Sequence, residues 1–558
     1  MSHTPYQGHA LEIYENSFKD NWALPALTES GSHEISSYGE MARRIARLHL
    51  FFKQMNISQG DKVALLGKNS ATWIVTFMGT ITYGATIVPV LADFNAHDAQ
   101  HIINHSDATL LFVNEAIWET LDYDQLPQIR AVISLETRQV LAERPAEGAP
   151  SATKIIRNLT RRFRSVYRSG FGPENISYPR VDKDQLAILN YTSGTTGFSK
   201  GVMLTFDNLL GNIAYGIKSR LHFEGSHTLS FLPLAHAYGC AFDMLVPLAV
   251  GTLVTVFTKP PIPQLLLKSM HQVRPDLVVC VPLILEKIYR KQIVPMITGR
   301  AMRWALAVPL LDNAIYAKIR SRLTEAFGGR FEEVIIGGAP LNAEVENFLY
   351  RIKFPYTVGY GMTECGPLIS HTPWREFQPG SCGRVLPNME AKILSDDPAV
   401  IPGEICVRGQ NVMKGYYKNP DATAAAIDAD GWLHTGDMGT LQPDGTLAIK
   451  GRYKTMILSA SGQNIYPEEI EAKLNNMPYV NESLIVERGK GLTAIVYPDY
   501  ERMDTDHITN DQLPELMERN RADLNSLVAP YERVDHIQLI PHEFEKTPKK
   551  SIKRYLYS

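Results

Sequence analysis

From Leu189 to Thr205 the chain reads LNYTSGTTGFSKGVMLT, a run of hydroxyl and glycine residues followed by a lysine and flanked by apolar segments. Successive backbone N–H groups and hydroxyls in such a loop can converge on one anion, and Lys200 adds a mobile positive charge. Phosphate is the natural guest. Gly194 and Gly197 permit backbone conformations closed to other residues, and Ser193, Thr195 and Thr196 donate hydrogen bonds. The competing reading is a polar surface turn. The Walker pattern G-x-x-x-x-G-K-[ST] is absent, because Lys200 follows Phe198 and Ser199 instead of a glycine.

Other residues with chemical capacity lie further along. EVII is followed by Gly337 and Gly338, which leave room for a flat group to approach the backbone, although GG after a strand is usually a turn. Tyr360 offers an aromatic face, with the hydroxyl of Thr363 and the carboxylate of Glu364 close behind. Asp437 in HTGD is a carboxylate that can accept two hydroxyl protons, and Arg452 can approach it from the other side. Taken alone, Glu364 reads as a solvated surface residue and TGD as a loop cap. His236 in LPLAHAYG reads either as a pocket residue or as a structural core histidine.

Elements must exist to bring these residues together. The chain has 558 residues, 44% hydrophobic and 21% charged, which implies soluble globular domains and more than one of them. Lys and Arg total 56 against 59 for Asp and Glu, so no global basic field draws nucleic acid, and any anion is gripped locally. Five widely spaced cysteines without CxxC or metal-ligand spacing argue against a disulfide framework and against zinc. The N-terminal MSHTPYQGHALEIYENSFKDN lacks a basic-then-apolar signal, so a cytoplasmic protein is expected. The uncharged stretch Trp73–Ala92 is long enough to suggest a membrane span, but Gly79, Gly84, Pro89 and its threonines favour a buried helix capped by Ser70 and then a strand.

Apolar strands alternate with helical patterns. Met41, Ile45, Leu48, Phe52 and Met55 recur at helical spacing after the capping signal Ser37–Glu40. KVALL, TLLFV, AVISL, QLAILNY, LVVCV and EVIIGG read as buried strands. The fold class is α/β: a large N-terminal domain over 1–453, with mostly parallel sheets flanked by helices and a small β subdomain over about 380–450. A small α+β C-terminal domain over 454–558 is expected after it.

TSGTTGFSKG, LPLAHAYG, GGAPL, YGMTE, HTGD and GRYKTMILSASGQNIYPEEIE occur in one order across nearly the whole chain. Together they resemble the adenylate-forming superfamily of acyl-CoA synthetases, peptide-synthetase adenylation domains and luciferases. The resemblance implies ATP as substrate, bound by Thr192, Ser193, Gly194, Thr195, Thr196, Gly338, Ala339, Pro340, Tyr360, Gly361, Met362, Thr363, Asp437 and Arg452. It implies Mg2+ on Glu364 and Thr195, phosphate neutralisation by Lys200, an acid pocket at His236 and Gly239, and a hinge at Lys454 about which the small C-terminal domain is mobile. The implied chemistry is acyl-AMP formation followed by transfer to CoA, an AMP-forming acid-thiol ligase reaction.

The segments ILSASGQNIYP and VPLILEKIYRK are similar to those of long-chain acyl-CoA synthetases, with Leu283 where arginine is usual. Long-chain fatty acid is therefore the favoured substrate. The alternatives are an enzyme that stops at acyl-AMP or loads an acyl carrier protein, and a non-catalytic nucleotide or fatty-acid sensor. The family's catalytic lysine position, just before Ile-x-Arg, holds Ser551 here, with Lys549 and Lys550 upstream and Lys553 downstream. Lys550 is the favoured substitute and Lys549 the next. Finally, KIIRNLTRRFRSVYR (154–168) has six cations, no acid and an apolar stripe of Ile155, Leu159, Phe163 and Val166. It reads as a helix on an anionic membrane, a basic linker, a helix packed on its own protein, or a contact for CoA or carrier protein.

Overall fold

The computed structural model describes residues 4–145, 151–192, 200–259, 261–297, 299, 302, 304–305, 308, 311–458, 463–489, 491–547 and 551–557. Two large sheets carry the molecule. One runs in the order Gly415–Tyr416, Lys200–Thr205, Leu186–Thr192, Thr86–Val90, Lys62–Leu66, Leu110–Val113, Ala131–Ser134, Val140–Glu143, parallel through its centre and antiparallel at both ends. The other runs Tyr356–Val358, Glu333–Ile336, Leu277–Cys280, His227–Ser230, Leu253–Val256, Pro25–Glu29, Ile35–Ser37, and is parallel except for its last pair. Central strands such as Leu110–Val113 and Leu277–Cys280 are buried at every position, as expected for parallel strands covered by helices on both faces.

Local signals in the sequence account for several elements. Ser37 caps the helix Tyr38–Gln54: its hydroxyl accepts the Glu40 N–H, and the Glu40 carboxylate accepts the Ser37 N–H at 2.8 Å, a reciprocal box stabilising the helix end by about 1 kcal/mol. The apolar stretch from Trp73 forms the buried helix Ala71–Tyr83 with Ser70 as its cap, then the strand Thr86–Val90. Gly84, at φ +85°, makes the left-handed turn between them. Among the described residues, no helix is long and apolar enough to cross a membrane.

A four-stranded antiparallel sheet, Met389–Leu394, Gly403–Gly409, Leu433–Leu441 and Leu447–Arg452, forms the expected β layer. One buried core extends from Tyr6 to Leu447. A separate one begins at Ile465 and includes Val480, Leu492, Met517 and Val534, beneath the sheet Val480–Arg488, Gly491–Pro498, Val534–Leu539. The helix Ala152–Val166 buries Ile155 and Phe163 against the protein. Phe163 packs on Phe171 at 5.7 Å and lies under the Arg47 guanidinium at 4.8 Å, so the apolar stripe is covered by the chain's own residues except at Val166, which is exposed.

Candidate active site

The strand Leu186–Thr192 and the strand Lys200–Thr205 pair antiparallel, with Thr192 opposite Lys200. The Ser/Thr/Gly loop is therefore carried by a hairpin with a fixed base. Ser193, Gly194, Thr195 and Thr196 lie outside the described residues. Gly415–Tyr416 extends this hairpin as an edge strand, with Tyr416 opposite Val202. Gly415 is required there: its φ is +139°, and a Cβ would meet Thr423 at 2.7 Å. The edge is anchored by Tyr417 and Lys418, which both donate to Asp107 at 2.7 Å.

Tyr416 joins two residues that the sequence leaves far apart. Its hydroxyl donates to Glu364 Oε1 at 2.9 Å, and the Lys200 ammonium sits 4.8 Å from its ring centroid. Burial and the Glu364 charge push the Tyr416 hydroxyl well above the ordinary tyrosine range, so it stays a donor. Glu364 lies in the single turn Thr363–Cys365, and its carbonyl accepts the Met413 N–H at 2.8 Å. Its partly buried carboxylate is a hard oxygen donor of the kind Mg2+ requires, which fits the implied ion. Tyr416 was missed in the sequence. A glycine beside an aromatic in KGYYKNP is a weak mark of a special backbone, but its partner strand lies more than two hundred residues upstream.

The second half of the site grows from the other sheet. Glu333–Ile336 and Tyr356–Val358 are parallel neighbours, and Gly359 N–H donates to Ile336 O at 2.9 Å. Gly337–Pro340 and Tyr360–Glu364 thus leave adjacent carboxyl ends, the place where open α/β sheets receive ligands. Gly338 has φ +85°, and Gly338, Ala339 and Pro340 are exposed. Gly337 is buried, and a Cβ there would come within 3.0 Å of the Tyr238 ring. Gly361 is exposed, while Met362 and Thr363 are half-buried.

Asp437 closes this half. The Tyr360 hydroxyl donates to Asp437 Oδ2 at 2.7 Å, and Arg452 Nε donates to Oδ1 at 3.2 Å across the strand pair Leu433–Leu441 and Leu447–Arg452. Burial pushes the Asp437 carboxyl up, and the Arg452 charge and the Tyr360 hydrogen bond oppose it. Tyr360 itself is buried, with its hydroxyl committed to Asp437. Three residues earlier, His434 Nδ1 lies 2.9 Å from Glu404 Oε2 and 3.6 Å from Cys406 Sγ, a set of donor atoms able to surround a cation.

His236 precedes the helical turn Ala237–Cys240 and is half-buried. Gly239 is buried, and a Cβ there would meet the Pro233 carbonyl at 2.8 Å. The segment Cys240–Ala249 is buried throughout, including Asp243, whose carboxyl burial pushes well above the usual carboxylate range. Lys454 is exposed in the single turn Tyr453–Thr455. Lys549 and Lys550 lie outside the described residues. Around them, Thr547 N–H donates to Ser551 O at 2.8 Å, Lys546 pairs with Glu482 at 2.7 Å, and Arg554 is bonded to the buried Glu471. The tail is thus tied to the C-terminal core on both sides of Lys549 and Lys550.

The AMP-binding enzyme family matches residues 14–417, nearly three quarters of the chain. The chain belongs to that family. Among curated AMP-binding relatives, the long-chain-fatty-acid–CoA ligase ACSBG1 of Mus musculus is 28% identical over 523 residues, covering 86% of this chain and 69% of that protein. A long-chain-fatty-acid–CoA ligase of Escherichia coli O6:H1 is 29% identical, covering 85% and 82%. The peroxisomal long chain acyl-CoA synthetase 7 of Arabidopsis thaliana is 30% identical, covering 89% and 73%. Among solved structures, the anthranilate CoA ligase AuaEII in complex with anthranoyl-AMP has a TM-score of 0.77 at 19% identity, covering 99% of this chain and 97% of that one. ATP-bound MatB from Rhodopseudomonas palustris has a TM-score of 0.75 at 22% identity, covering 98% of each chain. These likenesses establish an adenylate-forming fold.

Proposed function

We propose that this AMP-binding enzyme activates a long-chain fatty acid with ATP and passes the acyl group to CoA. The observation that carries the reading is convergence: Lys200, Tyr416 and Glu364 form one cluster, and Tyr360, Asp437 and Arg452 form another, with Glu364 four residues from Tyr360 on the same segment. The fatty-acid ligases among the relatives supply the substrate class.

In this reading the ribose hydroxyls donate to Asp437, which Arg452 faces at 3.2 Å. The adenine lies along Gly338–Pro340 and Tyr360–Thr363, and the phosphates lie in the loop that ends at Lys200. Glu364, with Thr195, would hold Mg2+, which supplies charge neutralisation at the phosphates. The fatty carboxylate, guided past His236 and Gly239, attacks the α-phosphorus, and pyrophosphate leaves. The CoA thiol then attacks the acyl carbonyl; AMP departs and a thioester forms. Residues 454–558 change orientation between these steps about Lys454, and Lys550, or Lys549 next to it, carries the tail charge for the first.

The test is product identity. With ATP, palmitate and CoA, mass spectrometry finds palmitoyl-CoA, AMP and pyrophosphate in equal amounts. Accumulation of palmitoyl-AMP with CoA present, or release of ADP, contradicts the reading.

A further inference from the structure

The helix Ala152–Val166 separates its two faces completely. Ile155 and Phe163 are buried and Leu159 is half-buried. At helical spacing, Lys154, Arg157, Arg161 and Arg164 fall on the opposite side, and all four are exposed. Arg162 and Arg168 are exposed beside them, and no acidic residue occurs between Ala152 and Phe171. None of these six cations takes part in an ion pair among the described residues. The chain as a whole has a net charge of −3, so everything outside this helix is more acidic still.

We infer that this helix face docks the protein on an anionic lipid surface by charge alone, through lipid phosphates, without inserting. Charge complementarity selects the occupant. A protein partner needs an apolar centre to its interface, and here Ile155 is buried in the core, Leu159 packs against it, and Phe163 is covered by Arg47, Tyr167 and Phe171. Only Val166, 45% exposed, is left at the end of the helix. A lipid surface needs no such centre: a row of cations from Lys154 to Arg164, about 15 Å long, meets several phosphates at once. The acidic remainder of the molecule is repelled by the same surface, which fixes which side faces the lipid. The inference rests on the helix and holds whichever carboxylic acid the enzyme activates.

The experiment is co-sedimentation of the full chain with vesicles of phosphatidylglycerol and phosphatidylcholine, against vesicles of phosphatidylcholine alone. Binding is expected to the anionic vesicles only, and to fall steeply as salt is raised through the range where the Debye length shrinks to about 8 Å. Combining Lys154→Gln, Arg157→Gln, Arg161→Gln and Arg164→Gln removes about fivefold in affinity per charge, several hundredfold in all. An unchanged melting temperature and unchanged pyrophosphate release establish that the variant is folded. The inference is overturned if the wild type ignores anionic vesicles at low salt, or if the quadruple variant binds them as well as the wild type does. It is equally overturned if the four cations serve only to hold an acidic carrier protein.

Discussion

Replacing Tyr416 with phenylalanine removes one atom from the proposed phosphate end and leaves everything else in place. The ring stays, so the Lys200 ammonium keeps its aromatic partner at 4.8 Å. The hydroxyl that donates to Glu364 at 2.9 Å is lost. A hydrogen bond to a charged group stabilises by about 1.5–3 kcal/mol, which corresponds to roughly ten- to a hundredfold in rate if Glu364 must be oriented for the reaction. The expected outcome of Tyr416→Phe is a loss of that size in kcat/KM for pyrophosphate release, together with a higher Mg2+ concentration at half-maximal activity. The Mg2+ shift separates positioning of Glu364 from a general structural role. Tyr416→Ala also removes the cation–π contact and leaves a cavity, so it lowers the melting temperature as well. Wild-type kcat/KM together with an unmoved Mg2+ titration in Tyr416→Phe would refute the assignment of Tyr416 and weaken that of Glu364.

Further outcomes follow from the same geometry. Asp437→Asn keeps the Tyr360 contact but removes the charge facing Arg452, so KM for ATP should rise roughly tenfold or more with a smaller effect on kcat, read by steady-state kinetics. Lys454→Pro fixes one backbone angle in the exposed turn Tyr453–Thr455 and should spare acyl-AMP formation far better than thioester formation, measured as separate half-reactions. Lys550→Ala should depress adenylation yet spare thioester formation from supplied acyl-AMP, with Lys549→Ala and Lys553→Ala doing less. If all three adenylate normally, loss of activity in the triple variant would indicate substitution among the lysines, and retention would remove the tail from the mechanism. Glu333 is buried and pushed up to about 7, above its unfolded value, so its contribution to stability is fully present below about pH 4.5 and is lost as pH rises through 7. Glu333→Gln should therefore leave stability unchanged at low pH and raise it by up to roughly 3 kcal/mol above pH 7, measured by denaturant unfolding.

What the sequence made legible was whatever has a local cause. Buried parallel strands are short apolar runs, and Lys62–Leu66, Leu277–Cys280 and Glu333–Ile336 fall where such runs occur. The Ser37–Glu40 box and the Ser70 cap depend on residues three apart, and both form. Tyr416 was illegible because its role depends on pairing with the strand Lys200–Thr205, which no neighbouring residue encodes. The pairing of Tyr360 with Asp437 likewise joins residues that only the fold makes adjacent. For the basic helix, periodicity gave the apolar stripe but not its cover, which comes from Arg47 on another helix and Phe171 beyond its own end.

Pyrophosphate release measured across straight-chain acids of graded length decides whether the enzyme uses ATP to activate a long-chain carboxylate. Release is expected to require Mg2+, to rise with chain length to an optimum among long-chain acids, and to fall on the order of a hundredfold or more in Glu364→Ala. No release with any acid, or a preference for short or aromatic acids, would contradict it.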